Sequence, residues 1–493
     1  MPSPSVIKYY TFSEETQIKI TEEFCVHYIK TIIKTYSREI LLRAISQISQ
    51  DLGISNDLSR IKELQYKHLN IPTVKNLFVI HRQAILVLLQ FIFSVPEKDF
   101  SDENKISPRD IFLLFAIIND YLDFHEHVNA KIALRKKIFF TSIKSVHLMM
   151  NENDLNASFE FFKKYYERII ELGRKNYSEL IKSYLDEDLN SILSIFDKVR
   201  NYKYPEIFSF FDKFAVIEYD KIDTFWQNRN PRFDIPFEYN LLAQYPLIKK
   251  DDNYLVADIF NLLNSLFVIV YEILVEDDRE QFKGLFGKEI AEHVIIKFME
   301  RIFACEQIRF IKVGSKSREF ADVGIIMDND IFLFEIKTSI FSRKMLYSTD
   351  YESFIKAFNK KFVLAEGITQ QIKQLTDVDK NYTSFCELAA IDNSKVYKIY
   401  PILLAFDECL QSFCANWYLS TRFDNIKRAR HLEPSKYTLS NNHITITFNE
   451  IFKLNMMNYA PIDKLNLIKK YADSENKEPM SFILFLQHNN LLR

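Results

Sequence analysis

Two acidic residues and one lysine interrupt apolar segments in the second half of the chain. Asp322 lies in REFADVGIIM, and Glu335 and Lys337 lie in IFLFEIKTS. An unpaired charge is costly to bury, so charges in such segments need a partner or a ligand. Two carboxylates that converge with the main-chain carbonyl of Ile336 would form an all-oxygen site suited to Mg²⁺ or Mn²⁺. With a lysine to orient the attacking water, that set suits phosphodiester hydrolysis.

A β-hairpin is the element that would bring these side chains together. The pattern predicts strands at 320–327 and 331–338, joined by the polar turn formers DND. Side chains alternate between the faces of a strand, which puts Glu335 and Lys337 on one face and the neighbouring phenylalanines on the other. Pairing across the hairpin would then bring Asp322 close to Glu335.

The surrounding segments predict a compact core of mixed structure. Five of the seven glycines lie between 284 and 367, and no proline occurs between Pro246 and Pro401. Tight turns and uninterrupted elements are expected in such a region. The predicted order is a helix, three strands, a helix and a strand, at 288–303, 307–313, 320–327, 331–338, 362–376 and 396–406.

The rest of the chain divides at a cluster of prolines. Apolar residues up to about residue 200 recur at the three- and four-residue spacing of buried helices. Helical periodicity lapses between 205 and 246, where four of the thirteen prolines fall. The predicted division is a helical domain that binds substrate or a partner, a linker and extension of the core, the core itself and a C-terminal extension packed on it, at 1–204, 205–284, 285–410 and 411–493.

The most apolar stretch of the chain, 254–275, is about long enough to span a bilayer. It carries polar residues that are costly in lipid, among them Asp258 and Glu272. We therefore expect residues 243–275 to form a short strand pair followed by a long buried helix, with no membrane partner.

Together these residues resemble the PD-(D/E)XK nuclease superfamily. Twelve residues separate Asp322 from the triplet Glu335, Ile336 and Lys337, and each carboxylate lies on one strand of the predicted hairpin. The element order between about 285 and 406 is similar to that of the superfamily's restriction-endonuclease-like core. We expect an α+β protein, in which a large all-α N-terminal region precedes an α/β core with a mixed central sheet flanked by helices.

The resemblance implies roles for individual residues. Asp322 and Glu335 would be ligands of Mg²⁺ or Mn²⁺, and Lys337 would be the catalytic lysine. Members often add a glutamate from the first core helix, which Glu292 matches best; Glu289 lies one turn away on the same helical face. For Glu292 the alternative is an exposed helical glutamate, and for Glu335 and Lys337 it is a plain salt bridge.

Some members also contribute a glutamine from the helix after the third strand. Gln370, Gln371 and Gln374 are candidates, and Gln370 and Gln374 share a helical face. Solvated helix faces are also rich in glutamine, so a surface role is the alternative. Ala321 stands where many members have a proline before the aspartate, a proline that the superfamily does not require.

Candidate contacts to nucleic acid are basic residues that flank the proposed site: Arg309, Lys312, Lys316 and Arg318. Each could hold a phosphate group, and a solvated surface is the alternative for each. The formal net charge is only -2, so binding of a polyanion must be focal rather than spread over the protein.

The remaining sequence features concern the cellular compartment and nucleotide binding. The five cysteines are scattered without paired spacings, and the N-terminus lacks the pattern of a secretory signal, so we expect a cytoplasmic protein. No GxxxxGK[ST] phosphate loop is present in the chain.

The resulting hypothesis is a metal-dependent endonuclease whose substrate is DNA, as in bacterial restriction or antiphage defence. Cutting two strands takes two sites, so a homodimer is one arrangement that would supply them. The competing hypotheses are a non-catalytic scaffold or nucleic-acid-binding subunit on a degenerate nuclease fold, and an RNase or a DNA-repair nuclease on the same fold.

Overall fold

Helices and one central sheet dominate the structure, a computed structural model. It describes residues 5–6, 21–52, 63, 65–69, 77–78, 80–128, 152–171, 175–200, 205–227, 240–277, 287, 293–311, 313–315, 318–338, 341, 351–364, 367–474 and 480–491. Within these residues the chain is an α+β protein, so the predicted fold class is confirmed.

Nearly all of the described residues up to residue 200 are helical. The elements are β1 (Ser5–Val6), α1 (Glu22–Lys34), α2 (Arg38–Leu52), β2 (Leu77–Phe78), α3 (Arg82–Ser94), α4 (Pro108–Val128), α5 (Glu152–Glu171), α6 (Lys175–Leu185) and α7 (Leu189–Arg200). The hydroxyl of Thr21 accepts a hydrogen bond from the amide of Phe24, which satisfies a donor at the start of α1. The two-residue parallel pair of β1 and β2 departs from the expected all-α region.

The next segment contains the predicted strand pair and buried helix. After 3₁₀ turns at Pro205–Lys213 come β3 (Val216–Glu218), α8 (Tyr219–Gln227), α9 (Asn240–Gln244), β4 (Leu247–Lys250), β5 (Asn253–Val256) and α10 (Ile259–Asp277). β4 and β5 form an antiparallel hairpin, and α10 lies in the apolar core, as predicted. Among the described residues, no helix has the length and apolar character needed to cross a membrane.

A mixed sheet organises the second half of the chain. The elements are α11 (His293–Ile302), β6 (Ile308–Ile311), β7 (Gly314–Ser315), β8 (Arg318–Glu319), β9 (Val323–Met327), β10 (Asp330–Lys337), α12 (Tyr351–Phe362), α13 (Ile368–Lys380), α14 (Tyr382–Ala389), β11 (Lys398–Ala405), a 3₁₀ turn (Glu408–Gln411), α15 (Phe413–Ala429), β12 (Thr438–Leu439), β13 (Ile444–Thr447), α16 (Phe448–Met456), α17 (Pro461–Ala472) and α18 (Phe482–His488). The strand order is β12, β11, β10, β9 and β6, with β13 also paired to β11.

Strand directions make the sheet mixed. β11 runs parallel to β10, β12 and β13, whereas β9 is antiparallel to both β10 and β6. The predicted hairpin is therefore present as β9 and β10. Its two turn residues are Asp328 and Asn329, and Asp328 takes a left-handed φ of 55°, which aspartate tolerates better than most residues.

The two faces of the sheet pack against different helices. On β10, Phe332, Phe334 and Ile336 belong to an apolar cluster with α5, α10, α11, α16 and α17. Ile331 and Leu333 belong to a second cluster, with α12, α13, α14 and α15. The alternation predicted for this strand is thus confirmed, and helices cover both faces.

Helices of the N-terminal region belong to two different apolar cores. α1 to α4 share a core with β3, β4 and α8, whereas α5 to α7 share the core of α10 and the sheet. A buried ion pair joins the two parts, because Arg82 on α3 contacts Asp258 at 2.7 Å and Asp258 also caps α10. The packing therefore does not change at residue 204, where a domain boundary was expected; the four domain ranges stay predictions.

Candidate active site

The hairpin brings Asp322 beside the end of β10. The antiparallel ladder ends with Phe334 and Val323, so Asp322, predicted within a strand at 320–327, lies one residue before β9. Its amide donates to the carbonyl of Phe334 at 3.1 Å, one position out of the regular register. Its carboxylate accepts a hydrogen bond from the amide of Ile336 at 2.6 Å, which fixes the half-buried side chain beside the end of β10.

Glu335 and Lys337 meet on the face that alternation predicts. Glu335 is only 1% exposed, and its Oε1 accepts a hydrogen bond from the Lys337 ammonium at 2.7 Å. The Lys337 side chain is 15% exposed, so the amine lies at the edge of the interior. A buried carboxylate requires such partners, because loss of its hydration is otherwise uncompensated.

Two glutamines from α13 complete the contacts of this pair. Gln374 donates to Oε2 of Glu335 at 2.9 Å, and Gln370 accepts from the Lys337 ammonium at 3.2 Å. The shared helical face predicted for these two glutamines is thus directed at the two charged residues. We call Asp322, Glu335, Lys337, Gln370 and Gln374 the Glu335 cluster.

The position of α13 depends on a close approach at its first turn. A Cβ atom on Gly367, which precedes α13, would lie 2.0 Å from the carbonyl oxygen of Phe362 at the end of α12. Only glycine fits there, because backbone atoms cannot yield as a flexible side chain can. The helix was expected at 362–376 and is found at Ile368–Lys380; the break at Gly367 explains this difference.

One buried histidine near the cluster has no counterpart among the predicted site residues. Gln371, also on α13, shares a 2.8 Å hydrogen bond with Nε2 of His443, and both side chains are buried. Burial lowers the pKa of His443 to about 3, so the imidazole stays neutral near pH 7. His443 lies one residue before β13, so this bond ties α13 to the edge of the sheet. The chain has ten histidines, and nothing in the sequence around His443 indicates such a contact.

Of the other predicted site residues, the structure describes the side chain of Arg309. Glu289, Glu292, Lys312 and Lys316 lie outside the described residues. Arg309 lies on β6 opposite Ile326, which follows Asp322 by four residues in the chain, and donates to the carbonyl of Ala390. Arg318 lies on the two-residue strand β8, and its side chain is outside the described part.

The donor set fits a hard divalent cation in the type of its oxygen atoms. The Glu335 cluster supplies the carboxylates of Asp322 and Glu335 beside the Lys337 ammonium. Carboxylate and amide oxygens are the ligands that Mg²⁺ and Mn²⁺ prefer. Among the described residues, no group of three or more His, Cys, Asp and Glu side chains could hold a metal ion, so any further ligands would be water, main-chain oxygen or substrate.

Comparison with known proteins gives no relative: no family model, no curated protein and no solved structure matches this chain.

Proposed function

We propose that this protein is a divalent-metal-dependent nuclease that hydrolyses phosphodiester bonds, with DNA as its substrate. The observation that supports this proposal is the convergence of Asp322, Glu335 and Lys337 with two glutamines at one end of the sheet. A salt bridge alone would need neither the aspartate across the hairpin nor the glutamines. The resemblance to the PD-(D/E)XK nucleases agrees with this reading, and on it we propose a cytoplasmic enzyme of bacterial restriction or antiphage defence.

The chain's own groups would divide the work. Asp322 and Glu335 would hold Mg²⁺ or Mn²⁺, and the bound ion would supply charge stabilisation for the phosphoryl oxygens and a lower pKa for water. Lys337 has three N–H donors and uses two of them in the contacts above. The third is directed by those contacts and can hold the attacking water or a phosphoryl oxygen.

The glutamines would position rather than react. Gln374 fixes one oxygen of Glu335 and Gln370 fixes the Lys337 ammonium, so both reacting groups are held in one orientation. Side chains that are already oriented do not have to reorganise when charge develops during the reaction. Preorganised sites gain most of their rate enhancement in this way.

Cleavage assays test the proposal. Purified protein is incubated with plasmid, linear duplex, single-stranded DNA and RNA, in Mg²⁺, Mn²⁺ or EDTA. We expect metal-dependent cleavage of DNA that Glu335→Ala abolishes and Lys337→Ala slows by roughly 10²- to 10⁴-fold, with circular dichroism of both variants unchanged. Cleavage by both variants at the wild-type rate would reject the site, and cleavage of RNA alone would reassign the substrate.

One observation favours a second candidate, a non-catalytic subunit that binds nucleic acid or serves as a scaffold. Both oxygens of Glu335 already accept hydrogen bonds, as in a purely structural ion pair. This candidate gains if no nucleic acid is cut in any metal while binding is intact.

A further inference from the structure

A cleft on the other face of the sheet combines cationic and aromatic residues. It lies between α5, α11 and the start of α16 and has a volume of about 410 Å³. Lys164 and Arg168 line it from α5, Lys297 and Arg301 line it from α11, and phenylalanines form its floor. In each helix the two cations are four residues apart, so they lie on one helical face about 6 Å apart along the axis.

The charge of the cleft is concentrated on the α11 side. The glutamates in the lining all belong to α5, where Lys164 pairs with Glu167 and Arg168 pairs with Glu171. On α11, Lys297 makes a longer contact of 3.4 Å with Glu300, and its side chain is 64% exposed. Arg301 makes no ion pair among the described residues, and its guanidinium lies 5.2 Å from the ring centroid of Phe298. Exposed pairs of this kind are weak, so a phosphate can replace them.

The aromatic floor is open at one edge. Phe298 and Phe452 stack with their ring centroids 5.8 Å apart and their planes within 13°. Phe452 is only partly buried, so a planar ligand can reach its ring. Grooves for single-stranded nucleic acid combine these two features: cations that follow the backbone and aromatic rings on which bases stack.

The cleft lies at the same end of the sheet as the Glu335 cluster. Phe161, in the floor, packs against Phe406 with ring centroids 4.3 Å apart. The amide of Phe406 in turn donates to the carbonyl of Lys337 at 2.8 Å. The ends of β10 and β11 are therefore the main separation between the cleft and the proposed catalytic residues.

We propose that this cleft binds a single strand of nucleic acid and leads it around the end of the sheet toward Glu335 and Lys337. A cleft of this volume takes a ligand the size of one or two nucleotides, and a duplex does not enter it. The role of this strand as substrate rests on the proposed nuclease function; the binding itself does not.

Binding measured without cleavage tests the cleft. The probe is a fluorescein-labelled oligothymidylate of about twenty nucleotides, with a labelled hairpin duplex in parallel, in EDTA at several salt concentrations. The variant is Lys297→Ala with Arg301→Ala, and its matched control is Lys198→Ala with Lys221→Ala, two exposed lysines outside the cleft.

Loss of two phosphate contacts has a specific signature. We expect the cleft variant to bind the single strand more weakly and its slope of log K against log salt to fall in magnitude by about 1.4, since each contact contributes about 0.7 for single strands. The control variant should keep the wild-type slope. Phe452→Leu should weaken binding several-fold at unchanged slope, because it removes stacking and no charge.

An unchanged slope in the cleft variant, or the same loss in the control, would overturn the assignment. An equal loss for the hairpin duplex would overturn the preference for a single strand. A changed slope with no cleavage in any metal would uphold the cleft and reject the nuclease proposal; cleavage with an unchanged slope would do the opposite.

Discussion

The two ends of strand β10 carry similar charged residues in different surroundings. At its start, Asp330 pairs with Lys469, while Lys398 pairs with Asp473 at 2.8 Å and Tyr400 donates to Asp473 at 2.9 Å. We call these five residues the Asp330 cluster. Two carboxylates there face two ammonium groups. At the far end, Glu335 pairs with Lys337, and two glutamines make further contacts to this pair.

On our proposal, that difference separates an architectural charge network from a ligand site. The Asp330 cluster is neutral and partly exposed, and burial raises the pKa of Tyr400, which keeps its hydroxyl protonated as a donor. Exposed pairs of this kind contribute little to stability. The Glu335 cluster holds a carboxylate that is 1% exposed, and the carboxylate of Asp322 lies beside the same end of β10. Mg²⁺ and Mn²⁺ prefer such oxygen ligands, so our proposal expects a bound ion at this end only.

The largest contrast should appear when each acid is replaced by its amide. Glu335→Gln should bring cleavage below detection and abolish stabilisation by Mn²⁺, which in the wild type should reach about 2.7 kcal/mol at a hundred times Kd. Asp330→Asn should keep both properties. Calorimetric melting with and without Mn²⁺ measures the effect; equal Mn²⁺ stabilisation in both variants would remove the distinction between the two ends.

The second-largest difference is expected between the lysines at the two ends of β10. Lys337→Ala should lower kcat by roughly 10²- to 10⁴-fold, the usual range for a group that assists proton transfer. Lys469→Ala should leave kcat unchanged, because its partner Asp330 lies at the opposite end. Lys337→Arg should fail to restore the rate, since a planar guanidinium cannot replace a compact ammonium between Glu335 and Gln370. Single-turnover cleavage measures all three variants, and a slow Lys469→Ala would contradict the comparison.

A smaller effect is expected from the glutamine that contacts Glu335. Gln374→Met keeps the side-chain volume but removes the hydrogen bond to Oε2 of Glu335, which should cost about 1.4 kcal/mol or tenfold in kcat. Thr376→Val, on the same helix, is the control, since its hydroxyl contacts only the carbonyl of Ile372 in the contacts described. Equal rates for the two variants would mean that Gln374 has no positioning role.

The smallest effect concerns pH. His443 has a depressed pKa of about 3, so between pH 6.5 and pH 3 the unfolded chain binds more protons than the folded one. Its contribution to stability is therefore complete above pH 6.5 and is lost as pH falls below it. Lowering the pH from 7 to 6 should cost roughly 0.7 kcal/mol of unfolding free energy through this residue.

Urea unfolding of His443→Gln at the two pH values checks this. The variant should lose that part of the acid sensitivity and keep the part from His81, whose pKa burial lowers to about 4. The same pH dependence in variant and wild type would show that His443 already titrates normally.

Local pattern was sufficient for the hairpin. Alternation along β10 and one polar turn correctly predict the hairpin of β9 and β10 and the shared face of Glu335 and Lys337. Both properties depend on neighbours within about fifteen residues, so the sequence carries them directly. The metal, the reaction and the substrate stay predictions.

Contacts between distant segments could not be predicted in the same way. Helical periodicity identifies α5 to α7 as buried helices, but it does not say that they pack on the sheet rather than on α1 to α4. The bond between Gln371 and His443 joins residues 72 positions apart, and nothing local to either one announces it. β12 and β13, within the expected C-terminal extension, were likewise not foreseen as strands of the central sheet.

Gly367, which has no side chain, determines the position of Gln370 and Gln374. Since α12 and α13 touch backbone to backbone there, a single added carbon would push the start of α13 outward and carry Gln370 and Gln374 away together. The proposed reaction centre can therefore be disabled from a point that contacts none of its polar atoms. Because glycine carries a hydrogen atom in place of Cβ at residue 367, α12 and α13 lie close enough for the two glutamines to contact Lys337 and Glu335.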